Sequence, residues 1–341
     1  MKKKIFFLGL ACALLISGCQ KTQSEYEQRM MESKDSDFPI VKEKELDAFM
    51  DNEANSIDTK KADGVARSEF QIMNAKICGM VEVEDHLICV DYENGQLVIV
   101  DKKGKVIEKK GKLGSAEGEF QDPTGITKDE KYIYVLDDGN ERVQIFDHDL
   151  QYVKEVAIDK TDLEPGIRLD DIEVDGKQNI YITAMFLDDP GVVVLNGETG
   201  KQTLQQVNFC GFLAREKDSI YGLGSGQLYV PAKEPVSFGL GSGTCAFLEC
   251  FPEESKKLCD MQGENSICDF MIRDGFVYCA SQCYNEVQKF AMDGTYIESL
   301  GGLNEKSEVE YLCMTENGDI YVSGKSEQIF VFTKSDMNKG E

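Results

Sequence analysis

The sequence predicts an all-β fold: a six-bladed β-propeller behind an N-terminal tether. Three observations predict it. From about Phe70 the chain is a series of short apolar strands divided by Gly, Asp and Asn turns, with no sustained 3.6-residue period. One strand recurs six times, as Leu87–Asp91, Ile133–Asp137, Ile180–Ala184, Ile220–Gly224, Val277–Ser281 and Ile320–Gly324. Its last residues lie 46, 47, 40, 57 and 43 positions apart, the spacing of four-stranded propeller blades. Finally, the last repeat runs out of chain before a fourth strand, while an unpaired strand, Glu69–Met73, precedes the first repeat. Borrowing it closes the ring and removes an open sheet edge.

The clearest repeat spans Phe120 to Ile158. It contains Pro123-Thr124-Gly125-Ile126, Tyr132–Asp137, Arg142–Asp147 and Tyr152–Ile158 as four successive strands. The strand before each recurring one aligns through Met80, Ile126, Ile172, Leu213, Met271 and Cys313. The 57-residue interval marks an insertion around residues 232–244, rich in Pro and Gly. The domains are then 1–18, a signal peptide; 19–66, an anchor residue and flexible tether; 67–334, the propeller; and 335–341, a tail.

Lys2-Lys3-Lys4 followed by the apolar run Ile5–Ile16 has the build of a secretory signal. Twelve residues of helix reach about 18 Å, short of the roughly 30 Å bilayer core. Leu15-Ile16-Ser17-Gly18-Cys19 resembles the bacterial lipobox. That resemblance implies lipidation of Cys19 and attachment of the exported chain to the cell membrane or outer membrane of a bacterium. Residues 20–66 are too polar to form a core and read as a spacer.

The chain carries 37 basic and 62 acidic residues. Residues 1–18 hold three of the lysines and no acid, so without them the net charge is about −28. That charge excludes a nucleic-acid partner, which needs a basic footprint, and leaves membrane attachment to the lipid rather than to charge.

The loops after the recurring strands share one face. They carry Asp91, Asp137, Asp138, Asp188 and Asp189, while Asp170 and Asp171 open the third repeat and Asp269 takes the place of Asp170 in the fifth. Oxygen ligands of this kind suit a hard cation such as calcium, and acidic residues also build turns for local reasons. The set is therefore a candidate ligand or cation face. No catalytic residue is identified: there is no G-x-S-x-G elbow, P-loop or dinucleotide fingerprint.

Ten cysteines remain besides Cys12 and Cys19. Cys89 and Cys279 take the places of Val135 and Ile182, Cys268 that of Leu169, and Cys313 that of Met80, which reads as small buried hydrophobes. Cys245, Cys250, Cys259 and Cys283 are less regular and leave room for one bridge.

The segment Gly118–Phe120, Pro123–Ile126, Tyr134–Asp137 and Asn140–Asp147 resembles the NHL-repeat family. The ring as a whole resembles six-bladed propeller lipoproteins of anaerobic gut bacteria. These resemblances imply the propeller fold and span scaffolds and enzymes, so fold alone does not settle activity. The NHL-type lyase holds zinc through three histidines, and this chain has only His86 and His148. Lactonase-type propellers hold calcium in the channel with Glu, Asn and Asp. The leading expectation is a binding or scaffold protein that holds a protein, peptide or small ligand on the loop-bearing face. The alternative is a calcium-dependent lactonase or esterase.

Overall fold

A computed structural model describes residues 67–334 except 162, 164–165, 185–190, 207–210, 226–244, 252–255, 262–266, 282–284, 293–295, 303–308 and 325–326. The signal and tether, Cys19, Asp188, Asp189, the insertion at 232–244 and the tail lie outside the described residues.

Among the described residues, twenty-four strands form six four-stranded antiparallel sheets. Strand β1 (Arg67–Gln71) comes first. Blade 1 is β2 (Ile77–Val83), β3 (His86–Asp91), β4 (Gln96–Asp101) and β5 (Val106–Gly111); blade 2 is β6 (Pro123–Lys128), β7 (Tyr132–Asp137), β8 (Arg142–Asp147) and β9 (Tyr152–Ala157). Blade 3 is β10 (Leu169–Val174), β11 (Asn179–Ala184), β12 (Gly191–Asn196) and β13 (Gln202–Gln206). Blade 4 is β14 (Gly211–Glu216), β15 (Ser219–Ser225), β16 (Cys245–Phe251) and β17 (Lys256–Met261). Blade 5 is β18 (Ile267–Arg273), β19 (Phe276–Ser281), β20 (Glu286–Ala291) and β21 (Tyr296–Gly302). Blade 6 is β22 (Val309–Met314), β23 (Ile320–Gly324) and β24 (Gln328–Phe332), completed by β1.

The first strands pack in a circle, β2 on β6, then β10, β14, β18, β22 and back to β2. They line the central channel. In blades 1 and 2 the first three strands are buried almost throughout, whereas β5 and β9 are mostly exposed. An inner strand is covered on both faces by neighbouring blades, so it reads as a continuous apolar run.

Strand β1 pairs with β24 from Arg67↔Phe332 to Gln71↔Gln328. Ile72 N donates to Glu327 O at 2.9 Å, Asn74 N donates to the Glu327 carboxylate at 2.7 Å, and the Ile72 side chain is fully buried. The closing strand thus begins two residues earlier than the sequence suggests.

The register corrects part of the repeat alignment. In blades 1, 2, 3, 5 and 6 a bulge follows the first residue pair of the first strand. Counting through it, Met80, Ile126 and Ile172 share their level with Leu213, Phe270 and Leu312, each paired to the middle of the second strand. Met271 and Cys313 lie one residue beyond. Asp269 therefore corresponds to Asp171, not to Asp170, and Cys268 to Asp170 rather than Leu169. The bulge is common to blades 3 and 5; the offset comes from the turn that follows, with five residues between Val174 and its partner Ile180 but four between Ile272 and Val277. Cys78, Cys89, Cys268, Cys279 and Cys313 form no disulfide, and all but Cys268 are buried.

Candidate functional site

The aspartates of the sequence analysis separate into three environments. Asp91 and Asp137 close the second strands of blades 1 and 2 and are fully buried. Asp91 accepts from Lys76 N at 3.1 Å and from the side-chain amides of Asn94 and Gln96, each at 2.8 Å. Asp137 accepts from Gln121 N at 2.7 Å, Arg142 Nε at 2.8 Å, Gln144 Nε2 at 3.2 Å and Asn140 Nδ2 at 3.0 Å. Arg142 also donates to Glu155 and to the carbonyls of Ala116 and Glu119. These carboxylates stitch each blade to the chain segment that leads into it. They are not presented on the loop-bearing face.

Asp138 lies in a 3-10 turn and meets Lys160 Nζ at 2.6 Å, with Leu169 N donating to the same oxygen at 3.2 Å. Burial raises its pKa, with the neighbouring lysine opposing.

The second environment is the channel mouth. Arg168, immediately before β10, reaches back across blade 2 to blade 1. Its guanidinium carbon lies 5.4 Å from the centre of the Tyr92 ring, and its Nε is 3.2 Å from Asp170 Oδ1. Lys76 Nζ approaches the same ring at 5.7 Å. The Arg168 side chain keeps a third of its surface exposed. Burial works against its charge, but Asp170, Tyr311, Tyr92 and Cys78 together outweigh that and raise its pKa. Below it, Cys78 Sγ donates to Pro123 O at 3.1 Å, and burial pushes the thiol up to about 12, so it is no nucleophile at neutral pH. Burial also raises the Tyr311 phenol well above its usual value, with Cys78 and Glu310 adding to the effect.

The third environment is the channel wall. Asp171 accepts from Ile172 N at 2.8 Å and, across the blade boundary, from Leu213 N at 2.7 Å. Asp269 repeats this with Phe270 N and Leu312 N, each at 2.7 Å. Each carboxylate therefore ties the inner strand of its own blade to that of the next. In blades 1 and 2 the same level holds Gly79 and Gly125, where an added Cβ would stand 3.0 Å from Ile126 Cγ2 and Ile172 Cγ2. Glu173 accepts from Thr127 Oγ1 at 2.5 Å. Arg215 donates to Val174 O and Lys128 O, and its charge steadies Glu173. Burial raises the pKa of all three acids. Mutual repulsion adds to the effect at Asp171 and Asp269.

Arg168, Tyr92 and Glu173 are absent from the sequence-based set. A signal existed for two of them. Lys76 and Arg168 are basic residues at the same place, directly before a first strand, in a strongly acidic chain. Glu173 is charged where the other blades carry Val81, Thr127, Ala214, Met271 and Cys313. Among the described residues, no three His, Cys, Asp or Glu side chains gather as metal ligands would. Two clefts open at the rim, one of about 300 Å³ between Phe120, Phe146 and Tyr152, and one of about 360 Å³ beside Ile158 and Lys160. Neither is lined by the channel residues.

A family model described as a 6-bladed beta-propeller matches residues 67–189. No curated protein matches. Among solved structures the chain is similar to virginiamycin B lyase from Staphylococcus aureus, at 10% identity and TM-score 0.53 over 78% of this chain and 98% of that one. It is similar to a luciferin-regenerating enzyme at 12% identity and TM-score 0.54, covering 78% and 95%. A protein of unknown function from Bacteroides thetaiotaomicron is similar at 12% identity and TM-score 0.54, covering 80% and 73%. At these identities the likeness is one of fold.

Proposed function

We propose that this chain is a binding propeller, exported and lipid-anchored through Cys19, which takes a small ligand or a partner's side chain into the mouth of its central channel. The observation that carries the reading is Arg168. A partly exposed guanidinium stretched across a blade onto a tyrosine ring, with a carboxylate beside it, places charge, aromatic surface and hydrogen-bond donors around one opening. Convergent polar groups at a concave, partly apolar mouth are the ordinary makings of a ligand site. Arginine stacked on an aromatic ring is also prominent among residues that dominate binding energy. The loop-bearing face thus takes part through its rim, while Asp91 and Asp137 hold the blades behind it. The acidic balance of the chain argues against nucleic acid as the partner.

The test is a thermal-shift screen of peptides and small metabolites on the full chain. A ligand that raises the unfolding midpoint of the wild type, and binds at least tenfold more weakly to Arg168→Ala and Tyr92→Ala, is expected. Equal binding to both variants overturns the site. Hydrolysis of lactones or aryl esters that calcium sustains and a chelator abolishes would replace binding with catalysis. For the anchor, labelled palmitate incorporated by the wild type and absent from Cys19→Ser is the expected outcome.

A further inference from the structure

The channel level of Asp171 and Asp269 has a composition that the mouth does not explain. Its occupants from blade 1 to blade 6 are Gly79, Gly125, Asp171, Phe212, Asp269 and Tyr311. The four with side chains keep partial exposure, whereas every residue of the next level, Met80 to Leu312, is buried. Inner strands are covered by blades on either side, so that exposure is toward the channel. Two carboxylates, two aromatic rings and two glycines thus face one space. Each Asp oxygen has accepted one backbone N–H and retains a second lone pair.

An independent feature points to an occupant. Thr183 stands directly opposite Asp171 in the β10–β11 register, so the two side chains share one face of the blade. Thr183 is only 3% exposed, yet its hydroxyl has no hydrogen-bond partner. Ser323, opposite Tyr311, is 1% exposed and also lacks one. Buried hydroxyls are nearly always paired, so two unpaired ones beside this level call for a partner.

We propose that this level of the channel is a subsite for a primary ammonium group, the charged end of an amine ligand. The proposal rests on the reading of the channel as a ligand site and names what enters deepest. An ammonium offers three donors and no acceptor, which suits two carboxylates and the Thr183 hydroxyl. The rings of Phe212 and Tyr311 suit its charge and alkyl stem, while Gly79 and Gly125 add no side chain to the level. Asp170 and Glu173 add negative charge nearby. Arg168 above and Arg215 beside Glu173 are each already held by other groups. Burial and repulsion among these acids favour the protonated carboxyls, so an arriving ammonium ionises them and the proton passes to solvent.

Isothermal titration of the full chain with n-butylammonium chloride tests this, with n-butanol, tetramethylammonium chloride and calcium chloride as parallel titrants. Saturable binding of butylammonium near one equivalent is expected. Its heat should change with the ionisation enthalpy of the buffer, reporting proton release. Asp171→Asn and Asp269→Asn should each weaken binding at least tenfold. Thr183→Val, which keeps side-chain shape and both carboxylates, should weaken it several-fold without lowering the unfolding midpoint, since the hydroxyl it removes is buried and unpaired. No saturable binding, equal binding of tetramethylammonium or butanol, or stoichiometric calcium lost in Asp171→Asn would each overturn the proposal. If a ligand sensitive to Arg168→Ala is found while butylammonium fails to bind, the subsite falls and the binding role stands. If neither binds, both fall.

Discussion

Asp137 and Asp171 lie at the same end of adjacent blades, and both are hemmed in by protein, but their neighbours give them opposite work. Asp137 meets Arg142, two side-chain amides and a backbone N–H, so its charge is matched inside blade 2 and its acceptors are used locally. Asp171 meets two backbone N–H groups and, for charged company, Asp170, Glu173 and Asp269, so its charge goes unmatched. The same side chain is a stitch where a cation is built in beside it and part of a receptive wall where none is. Asp91 is intermediate, enclosed like Asp137 but served only by neutral donors.

Substitutions at these positions sharpen the contrast. Asp137→Ala strands the Arg142 guanidinium in a buried place, and losing one partner of such a pair costs about 3–5 kcal/mol. Urea unfolding should show a loss of that size, and a loss below about 1 kcal/mol would show that Arg142 is satisfied by Glu155 and its carbonyl partners alone. Asp91→Ala leaves neutral amides unpaired and should cost about 1–3 kcal/mol, less than Asp137→Ala in the same assay.

Asp171→Asn keeps one acceptor but turns an amide NH2 toward the second backbone N–H, and should cost about 1–3 kcal/mol at pH 7, while also removing a pH dependence. Burial, aided by Glu173 and Asp170, raises the Asp171 carboxyl to about 7, against 3.8 in a free carboxyl. The folded protein therefore holds this proton more tightly than the unfolded chain. The resulting stability is fully present below about pH 4 and is lost as pH rises through 7. Wild-type stability should fall across that window relative to Asp171→Asn, whose amide does not titrate. Parallel profiles for the two proteins would mean that Asp171 is already ionised in the folded state.

Much of the architecture was legible because it rests on local signals. Turn-forming Asp and Gly residues punctuate strands of even length, and the recurring second strand shows itself by its apolar run. The orphan strand before blade 1 announced the closing seam. Levels within the first strands were harder to read. Those strands are buried on both faces, so alternation offers no ruler; a bulge in five blades of the six breaks the count, and a turn one residue longer in blade 3 than in blade 5 moves Asp269 one residue from its apparent place. Blade 4 pairs without that bulge, Gly211 with Gly224 and Phe212 with Leu223, which leaves no uniform offset to infer. Arg168 was hidden for another reason. Its significance comes from spanning a blade to reach Tyr92, a distance in space that sequence spacing does not carry.

The pairing of β1 with β24 also gives the wheel a front and a back. Gln71 lies beside Gln328, at the rim where Arg168 and the loops after the second strands gather, so Arg67, beside Phe332, emerges at the opposite side. The chain therefore enters the ring on the face opposite the opening of the axle, so a probe attached at Arg67 and a molecule at that opening sit on opposite sides of the disc.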